Sequence, residues 1–572
     1  MSAPLICGLK MTHDGGFAIV EGDRLLLSVE AEKLENRERH ATFNRSADIA
    51  ARLRDAGISP ADLTSVVIDG WARGRENESW VEVIDDAGIA RPVEVAGYDD
   101  APADSPRLLD GRVGSSPLFG PARTRFRSFS HATDHAFASY CTSDFAARDE
   151  PALMLVWDGG MAPNLYHYDP RRRAVRAYGP VAEVSGGIYP IFASHFGPFR
   201  VDHSRRLASN PGPGMEALLP VSGKAMAYAS LDPPSEEAVK LMEGVTAAML
   251  PIDRAIKSYG WSRRVQQEAA ALGLSDAALL ASFQEHLFRV LVDGLKQKLA
   301  ELPELDGLPI CLSGGCALNI KWNAGLRASG LFADVWVPPF PNDAGSAIGA
   351  ACVEMIRSTG RSALRWSVFA GPPVTPTRRT PAGWSSRPCE IEELAKLLEE
   401  QGEPVVVVHG PAELGPRALG HRSIIAPATS AAMKDRLNAM KGREWYRPVA
   451  PICLQDRAPE VFSPGTRDPY MLFDHSVRPE WKDRIPAVVH LDGSARLQTV
   501  DADNPTMHRL LTAYERLTGV PVLCNTSANF KGSGFFPDAA SVMRWGQARY
   551  VWSEGVLHWT DAAPADAIPT AG

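Results

Sequence analysis

Residues 152–160 read ALMLVWDGG: six apolar positions, then an acid and two glycines. An apolar run of that length, stopped by a turn signal, predicts a buried strand over 152–157 with Asp158-Gly159-Gly160 as its turn. The chain runs on through Leu165-Tyr166-His167-Tyr168 to another turn and a strand over 174–178. The same order stands at the start of the chain: a strand over 5–9, the turn His13-Asp14-Gly15-Gly16, a strand over 17–20, the turn Gly22-Asp23 and a strand over 24–29. Two such meanders indicate an internal duplication.

Beyond the second meander, Leu279, Phe283, Leu287, Leu291 and Leu295 recur every four residues behind Ser275-Asp276. This predicts a long amphipathic helix reaching Leu299, with His286 inside it. A strand over 308–312 follows, then Ser313-Gly314-Gly315, then a helix from Ala317. A strand, two glycines and a helix present free backbone N–H groups to an anion. Residues 371–381 (GPPVTPTRRTP) have linker composition, and a new helix starts near Glu390. Domains are therefore expected at 1–370 and 389–560, with a linker over 371–388 and a disordered tail over 561–572. Two meanders with acidic-glycine turns, each followed by helices, resemble the actin-like ATPase superfold, in which a ligand lies between two lobes.

Hydrophobic residues make up 45% of the 572 positions, with 48 Gly and 45 Pro, which excludes collagenous, low-complexity and largely disordered chains. The net charge of −8 offers a nucleic-acid backbone no overall attraction. No run of about 18 uncharged apolar residues occurs, and the first residues lack a basic-then-apolar signal, so a cytoplasmic protein with no membrane partner is expected. Cys7, Cys141, Cys311, Cys316, Cys352, Cys389, Cys453 and Cys524 are scattered without a CxxC pair and read as reduced thiols. There is no Walker A sequence, Gly212-Pro-Gly214 follows no strand, and no Gly-x-Ser-x-Gly elbow exists; any nucleotide is held by another kind of site.

His131 and His135 are four apart in SHATDHAFASY, so on a helix both imidazoles face one way and can share a metal. About 0.3 such pairs arise by chance at this histidine content, and two polar residues on one helix face is the other reading. Asp158 and Asp343, each beside glycine at the end of an apolar run, add two carboxylates; the four together suit iron(II), manganese or zinc. Either aspartate could instead bond its own turn. HATDH lacks the glutamate of a His-Glu-x-x-His protease.

In the second half, Arg417, Arg422, Lys441, Arg443, Arg447 and Arg496 all sit beside Gly, Pro or a strand end, as pocket residues do, whereas Lys434 and Arg436 fit a solvated helix face. Such a concentration in an acidic chain points to phosphate recognition, with the turn Asn525-Thr-Ser-Ala-Asn529 donating further bonds. A surface ion-pair network is the alternative.

In order, the motifs are THDGG (12–16), VEAEKLENRERH (29–40), HATDH (131–135), VWDGG (156–160), SGKAMAYA (222–229), LSGGCALNIKWN (312–323), FPNDAGSAIGAA (340–351), ELGPRALGHRS (413–423), GREWYRPVAP (442–451), HLDGSARLQTV (490–500) and NTSAN (525–529). Over essentially its whole length the chain resembles the antibiotic-type O-carbamoyltransferases of the NodU/CmcH family. The resemblance implies an α/β and α+β protein: a duplicated actin-like ATPase (ribonuclease H-like) N-terminal domain followed by a YrdC-like C-terminal domain. It implies that the second domain makes carbamoyl-adenylate from ATP and carbamoyl phosphate, and that the first transfers the carbamoyl group to a hydroxyl of a small polar metabolite.

By the same resemblance, Arg417, Lys441, Arg447 and Arg496 hold carbamoyl phosphate, and Ser527 and Asn529 form the nucleotide-side turn. Gly314, Gly315 and Asn319 match the adenosine and phosphate loop, with Asn342 in the same cofactor-binding set. His131, His135, Asp158 and Asp343 match metal ligands, with iron(II) or another divalent metal as the cofactor. His13, on the turn facing the cleft, is the candidate to bind or deprotonate the acceptor, and a turn histidine bonded to Asp14 is the other reading. Partners are expected to be a small hydroxylated metabolite and a second copy in a homodimer, with no nucleic acid. The competing readings are tRNA threonylcarbamoylation, against which the net charge and fused order argue, and a non-catalytic nucleotide-dependent binding protein, which leaves the Lys/Arg pocket without a use.

Overall fold

The computed structural model describes residues 3–34, 39–71, 79–100, 106–120, 122–201, 218–377 and 379–562. Six strands form the first sheet: β1 (Leu5–Lys10), β2 (Gly16–Glu21), β3 (Arg24–Glu30), β4 (Ser65–Asp69), β5 (Arg112–Ser116) and β6 (Thr124–Phe129), in the order β3-β2-β1-β4-β6-β5. Five form the second: β7 (Ala152–Val156), β8 (Asn164–Asp169), β9 (Ala174–Pro180), β10 (Ile310–Ser313) and β11 (Val335–Trp336), in the order β9-β8-β7-β10-β11. In both, the first three strands pair antiparallel and the first also pairs parallel with the fourth. The duplication read from the two acidic-glycine turns is thus a duplication of strand order.

The strand that closes each repeat leads to a helix: β6 to α1 (His131–Cys141) and, through the 338–345 loop, β11 to α4 (Ser346–Thr359). All eleven residues of α1 are buried, as is α4 from Ser346 to Ile356, so this pair is enclosed on every side, with the polar side chains of α1 shut in as well. Their contact requires glycine: a Cβ on Gly349 would lie 1.9 Å from the Asp134 carbonyl oxygen. Ser130 caps α1 by accepting the Thr133 N–H at 3.1 Å, which fixes where the first histidine falls.

Between β9 and β10, α2 (Asp276–Glu301) starts at Ser275, which accepts the Ala278 N–H at 3.0 Å, and its leucine stripe is buried as the spacing predicts. His286 belongs to that core: its ring stacks on Trp261 at 5.9 Å and Nε2 lies 2.9 Å from Thr246 Oγ1. The helix expected from Ala317 begins later. A single turn over Gly315–Leu318 comes first, and α3 (Ile320–Ala328) starts after Asn319, whose side chain accepts the N–H groups of Lys321 and Trp322.

The C-terminal domain is a mixed eight-stranded sheet: β12 (Ser385–Pro388), β13 (Val405–Val408), β14 (Arg422–Pro427), β15 (Ala450–Leu454), β16 (Gln498–Val500), β17 (Val522–Ser527), β18 (Tyr550–Ser553) and β19 (Val556–Trp559). Its order is β12-β19-β18-β13-β14-β17-β15-β16. The helices α5 (Ile391–Gln401), α6 (Ala432–Met440) and α7 (Pro505–Thr518) cover it, and α5, starting beside Glu390, agrees with the sequence.

The linker boundary needs correction. Residues 385–388 pair with β19 as an edge strand, so the domain begins inside the expected 371–388 linker. Ser-Ser-Arg-Pro is exposed at every position and carries no apolar signal, as an edge strand with one neighbour can do. The expected disordered tail lies outside the described residues beyond 562. Among the described residues no helix is long and apolar enough to cross a membrane.

Candidate functional site

The repeat topology carries four dispersed side chains to one place. His131 and His135 lie on the first turns of α1, Asp158 follows β7, and Asp343 precedes α4. One ligand atom from each lies within 4.8 Å of all the others, and all four residues are buried. The two Nε2 atoms are 3.1 Å apart, and each is 3.5 Å from Asp343 Oδ1. Asp69, at the end of β4, lies 2.9 Å from His131 Nδ1 through both oxygens, which directs Nε2 into the cluster. Asp158 is oriented by two donors, the Tyr98 hydroxyl at 2.5 Å and the Gly315 N–H at 2.6 Å. Two imidazoles and two carboxylates, all buried, with His131, Asp158 and Asp343 bonded from behind, fit a divalent transition metal.

Charge in the cluster is balanced across the lobes. Lys10 Nζ, at the end of β1, lies 2.8 Å from Asp69 and 2.8 Å from Asp343, and 4.0 Å above the Trp71 ring. Against the desolvation of burial, Lys10, His131 and His13 hold Asp343 well below the usual carboxylate range. Likewise against burial, Asp69 raises His131 to about 9. His13, on the β1–β2 turn, lies 3.1 Å from Asp14 and 3.6 Å from Asp343 Oδ2 and is about a fifth exposed. Its imidazole is held above the ordinary value by Asp343 and Asp14, against burial.

The glycine loop differs from expectation. The Gly314 N–H donates to the Pro341 carbonyl at 2.7 Å and the Gly315 N–H to Asp158, so neither is free for a ligand. Asn319 is the α3 cap, and Gln284 lies 3.4 Å from its oxygen. Asn342 lies beside Asp343, and its buried Oδ1 has no partner among the described residues.

The second cluster gathers around β17. Lys441, at the end of α6 and 5% exposed, donates to the Ser527 carbonyl, to Ser527 Oγ at 2.7 Å and to Asn529 Oδ1 at 2.6 Å. Arg443 donates to Thr526 Oγ1 at 2.8 Å and Ser527 Oγ at 3.2 Å. Arg417, Arg447 and Arg496 stand half-buried nearby, and the Nε atoms of Arg417 and Arg496 are buried without a partner among the described residues. Desolvation, then neighbouring cations, holds Arg417, Lys441 and Arg443 well below the ordinary values of their groups and pushes Arg496 down to about 10. Among the described residues Glu444 supplies the group's one ion pair, 3.8 Å from Arg447. A pocket of this kind calls for a polyanion.

Arg422 is the exception among the expected pocket arginines. It is 2% exposed, and its guanidinium donates to the carbonyls of His409, His421 and Pro372, so it ties the domain's entry segment to the sheet. Arg436 pairs with Glu403, as a solvated helix face allows.

Two family models match the chain: Carbamoyltransferase N-terminus over residues 5–104 and 121–352, and Carbamoyltransferase C-terminus over residues 395–551. The chain belongs to the carbamoyltransferase family. This carbamoyltransferase is 43% identical to Nodulation protein U of Bradyrhizobium diazoefficiens over 99% of both chains. It is 34% identical to 3'-hydroxymethylcephem-O-carbamoyltransferase of Streptomyces clavuligerus, over 96% of this chain and 97% of that one. A glucokinase from Balamuthia mandrillaris matches at 9% identity over 62% of this chain and 94% of that one with a TM-score of 0.29, and the fold assignment stands on strand order alone.

Four residues around the carbamoyltransferase's candidate metal site were not singled out in the sequence: Lys10, Asp69, Trp71 and Tyr98. Lys10 and Asp69 did leave a trace, as charges closing apolar strands (LICGLK and SVVID) at the carboxyl ends where open α/β sheets bind ligands. Trp71 and Tyr98 lie in irregular segments with no periodic signal.

Proposed function

We propose that this enzyme makes carbamoyl-adenylate from ATP and carbamoyl phosphate in its C-terminal domain and transfers the carbamoyl group, in its N-terminal domain, to a hydroxyl of a small polar metabolite. The observation that carries this reading is the cation pocket: Arg417, Lys441, Arg443, Arg447 and Arg496 concentrate positive charge, and among the described residues only Glu444 forms an ion pair with any of them. Water releases phosphate from carbamoyl phosphate, the carbamate oxygen attacks the α-phosphorus of ATP, and pyrophosphate leaves. Arg417, Arg447 and Arg496 bind the phosphates and stabilise the charge that develops on them. Lys441, braced on Ser527 and Asn529, joins them on carbamoyl phosphate, and Arg443, braced on Thr526 and Ser527, holds the nucleotide side.

In the N-terminal domain the acceptor oxygen attacks the carbamoyl carbon and AMP leaves. His13 is the group we assign to the acceptor, because its imidazole is open to solvent while the four ligands and Lys10 are shut in. Iron(II), held by His131, His135, Asp158 and Asp343, is the metal we assign, and when bound it supplies a Lewis acid for the carbonyl or phosphate oxygens. Gly314, Gly315 and Asn319 shape the loop beside it, and Asn342 offers its free oxygen to the nucleotide. An acceptor hydroxyl on a small metabolite accords with the name of the cephem relative. Mass spectrometry of a mixture of protein, ATP, carbamoyl phosphate and iron(II), with no acceptor present, tests the activation step. A carbamoyl-adenylate peak is expected, and its absence from folded, metal-loaded protein overturns the reading.

A further inference from the structure

Arg417 stands on the irregular 409–421 loop between β13 and β14, and the stretch just before it, Glu413–Gly415, is held by groups from the other domain. Lys33, just after β3 and 3% exposed, donates to the carbonyl oxygen of Glu413, to that of Gly415 at 2.8 Å and to Glu30 Oε1 at 2.8 Å. All three protons of the ammonium are thereby used. The same Glu30 oxygen accepts the Gly415 N–H at 2.7 Å, so the buried pair grips Gly415 by both its backbone groups. On another side Pro339 closes in: Gly415 has φ +81°, and a Cβ there would lie 2.0 Å from the Pro339 carbonyl oxygen. Within the loop, Glu413 Oε1 accepts the N–H groups of Leu419 at 2.6 Å and Arg422 at 3.1 Å and closes it around Arg417.

We infer that Lys33, with Glu30, is a positioning residue for the activation reaction: seated in the N-terminal domain, this buried ion pair fixes Glu413 and Gly415 and so holds Arg417 in the C-terminal phosphate pocket. The inference rests on reading that pocket as the carbamoyl phosphate site. Lys33 touches no phosphate itself, since its three donors are committed to protein oxygens. A side chain two residues from a gripped glycine has few backbone freedoms left, and a displacement near 1 Å in a positioning contact costs about 100-fold in rate. The N-terminal domain is then a working part of the activation site.

The test uses the full chain with metal bound and measures carbamoyl-adenylate formation against carbamoyl phosphate concentration for wild type, Lys33→Met, Glu30→Gln, Arg417→Ala and the Lys33→Met/Arg417→Ala double variant. Lys33→Met is expected to raise KM for carbamoyl phosphate at least 10-fold with metal content unchanged, and Glu30→Gln, which leaves the lysine in place, to shift it in the same direction by less. Because Lys33 acts through Arg417, the double variant is expected to be no worse than Arg417→Ala alone. An unchanged KM in both single variants, or losses that multiply in the double, overturns the inference. If Lys33→Met does not fold, Glu30→Gln carries the same test. If wild type makes no carbamoyl-adenylate, the activation reading alone has failed, and hydrogen exchange over 413–420 decides the clamp. Faster exchange there in the variants, with α1 unchanged, supports it, and equal exchange overturns it.

Discussion

Lys10 Nζ and Asp343 Oδ2, from opposite lobes, meet at 2.8 Å with both side chains shut off from solvent. The carboxylate's other oxygen faces His131 and His135, so Asp343 turns one oxygen to the candidate metal site and gives the other to a buried ion pair. Lys10→Met leaves Asp343 and Asp69 buried without their shared cation. The metal-free variant is expected to lose about 3–5 kcal/mol of unfolding free energy, the scale for breaking a buried pair. Iron(II) is expected to restore more stability to the variant than it adds to wild type. Denaturant unfolding with and without metal measures this, and equal midpoints contradict it.

Removing both imidazoles should empty the cluster without touching the other domain. His131→Ala/His135→Ala is expected to purify with metal at background by elemental analysis, while Arg447→Ala keeps the wild-type content. Full metal content in the histidine variant would show that the ligand set is wrong.

The α1–α4 crossing has no room for a methyl group at Gly349, and the obstructing atom is a backbone oxygen that cannot rotate away. Gly349→Ala is expected to cost at least the ~1–3 kcal/mol typical of overpacking. Because α1 carries both histidines, weaker metal binding should accompany the loss. Calorimetry and metal titration on one sample report both.

Burial lowers His286 from 6.5 to about 4, so between those values the unfolded chain binds a proton that the folded chain refuses. Stability from this group is complete above about pH 6.5 and is lost as pH falls toward 4, on the order of 3 kcal/mol across the window at ~1.4 kcal/mol per pH unit. His286→Gln is expected to flatten the fall of unfolding free energy between pH 6.5 and pH 4. The same slope in variant and wild type would assign the acid sensitivity elsewhere.

Local patterns told much of this fold. Apolar runs ended by Asp-Gly-Gly placed both meanders, the four-residue leucine spacing behind Ser275 placed α2, and the i, i+4 histidines named one face of α1. The partners of those groups were not legible, because they are set by strand order across distant segments. Asp69 reaches His131 through the parallel pairing of β4 with β6, and Lys10 reaches Asp343 across more than 300 residues of sequence, through the packing of one repeat on the other. Gly314 and Gly315 looked like free anion donors, but their N–H groups are taken by Pro341 and Asp158. Arg422 looked like its pocket neighbours, yet three carbonyls behind the strand consume it. The residue types showed which chemistry was present, and long-range pairing decided what each group faced.

The division of labour between the domains is tested most directly by carbamoyl-adenylate accumulation without acceptor in wild type, Arg447→Ala and folded, metal-free His131→Ala/His135→Ala. The account predicts that wild type and the histidine variant accumulate it, and that Arg447→Ala forms it at least 100-fold more slowly, the scale of losing one charge-stabilising donor. Formation at the wild-type rate by Arg447→Ala would contradict the account.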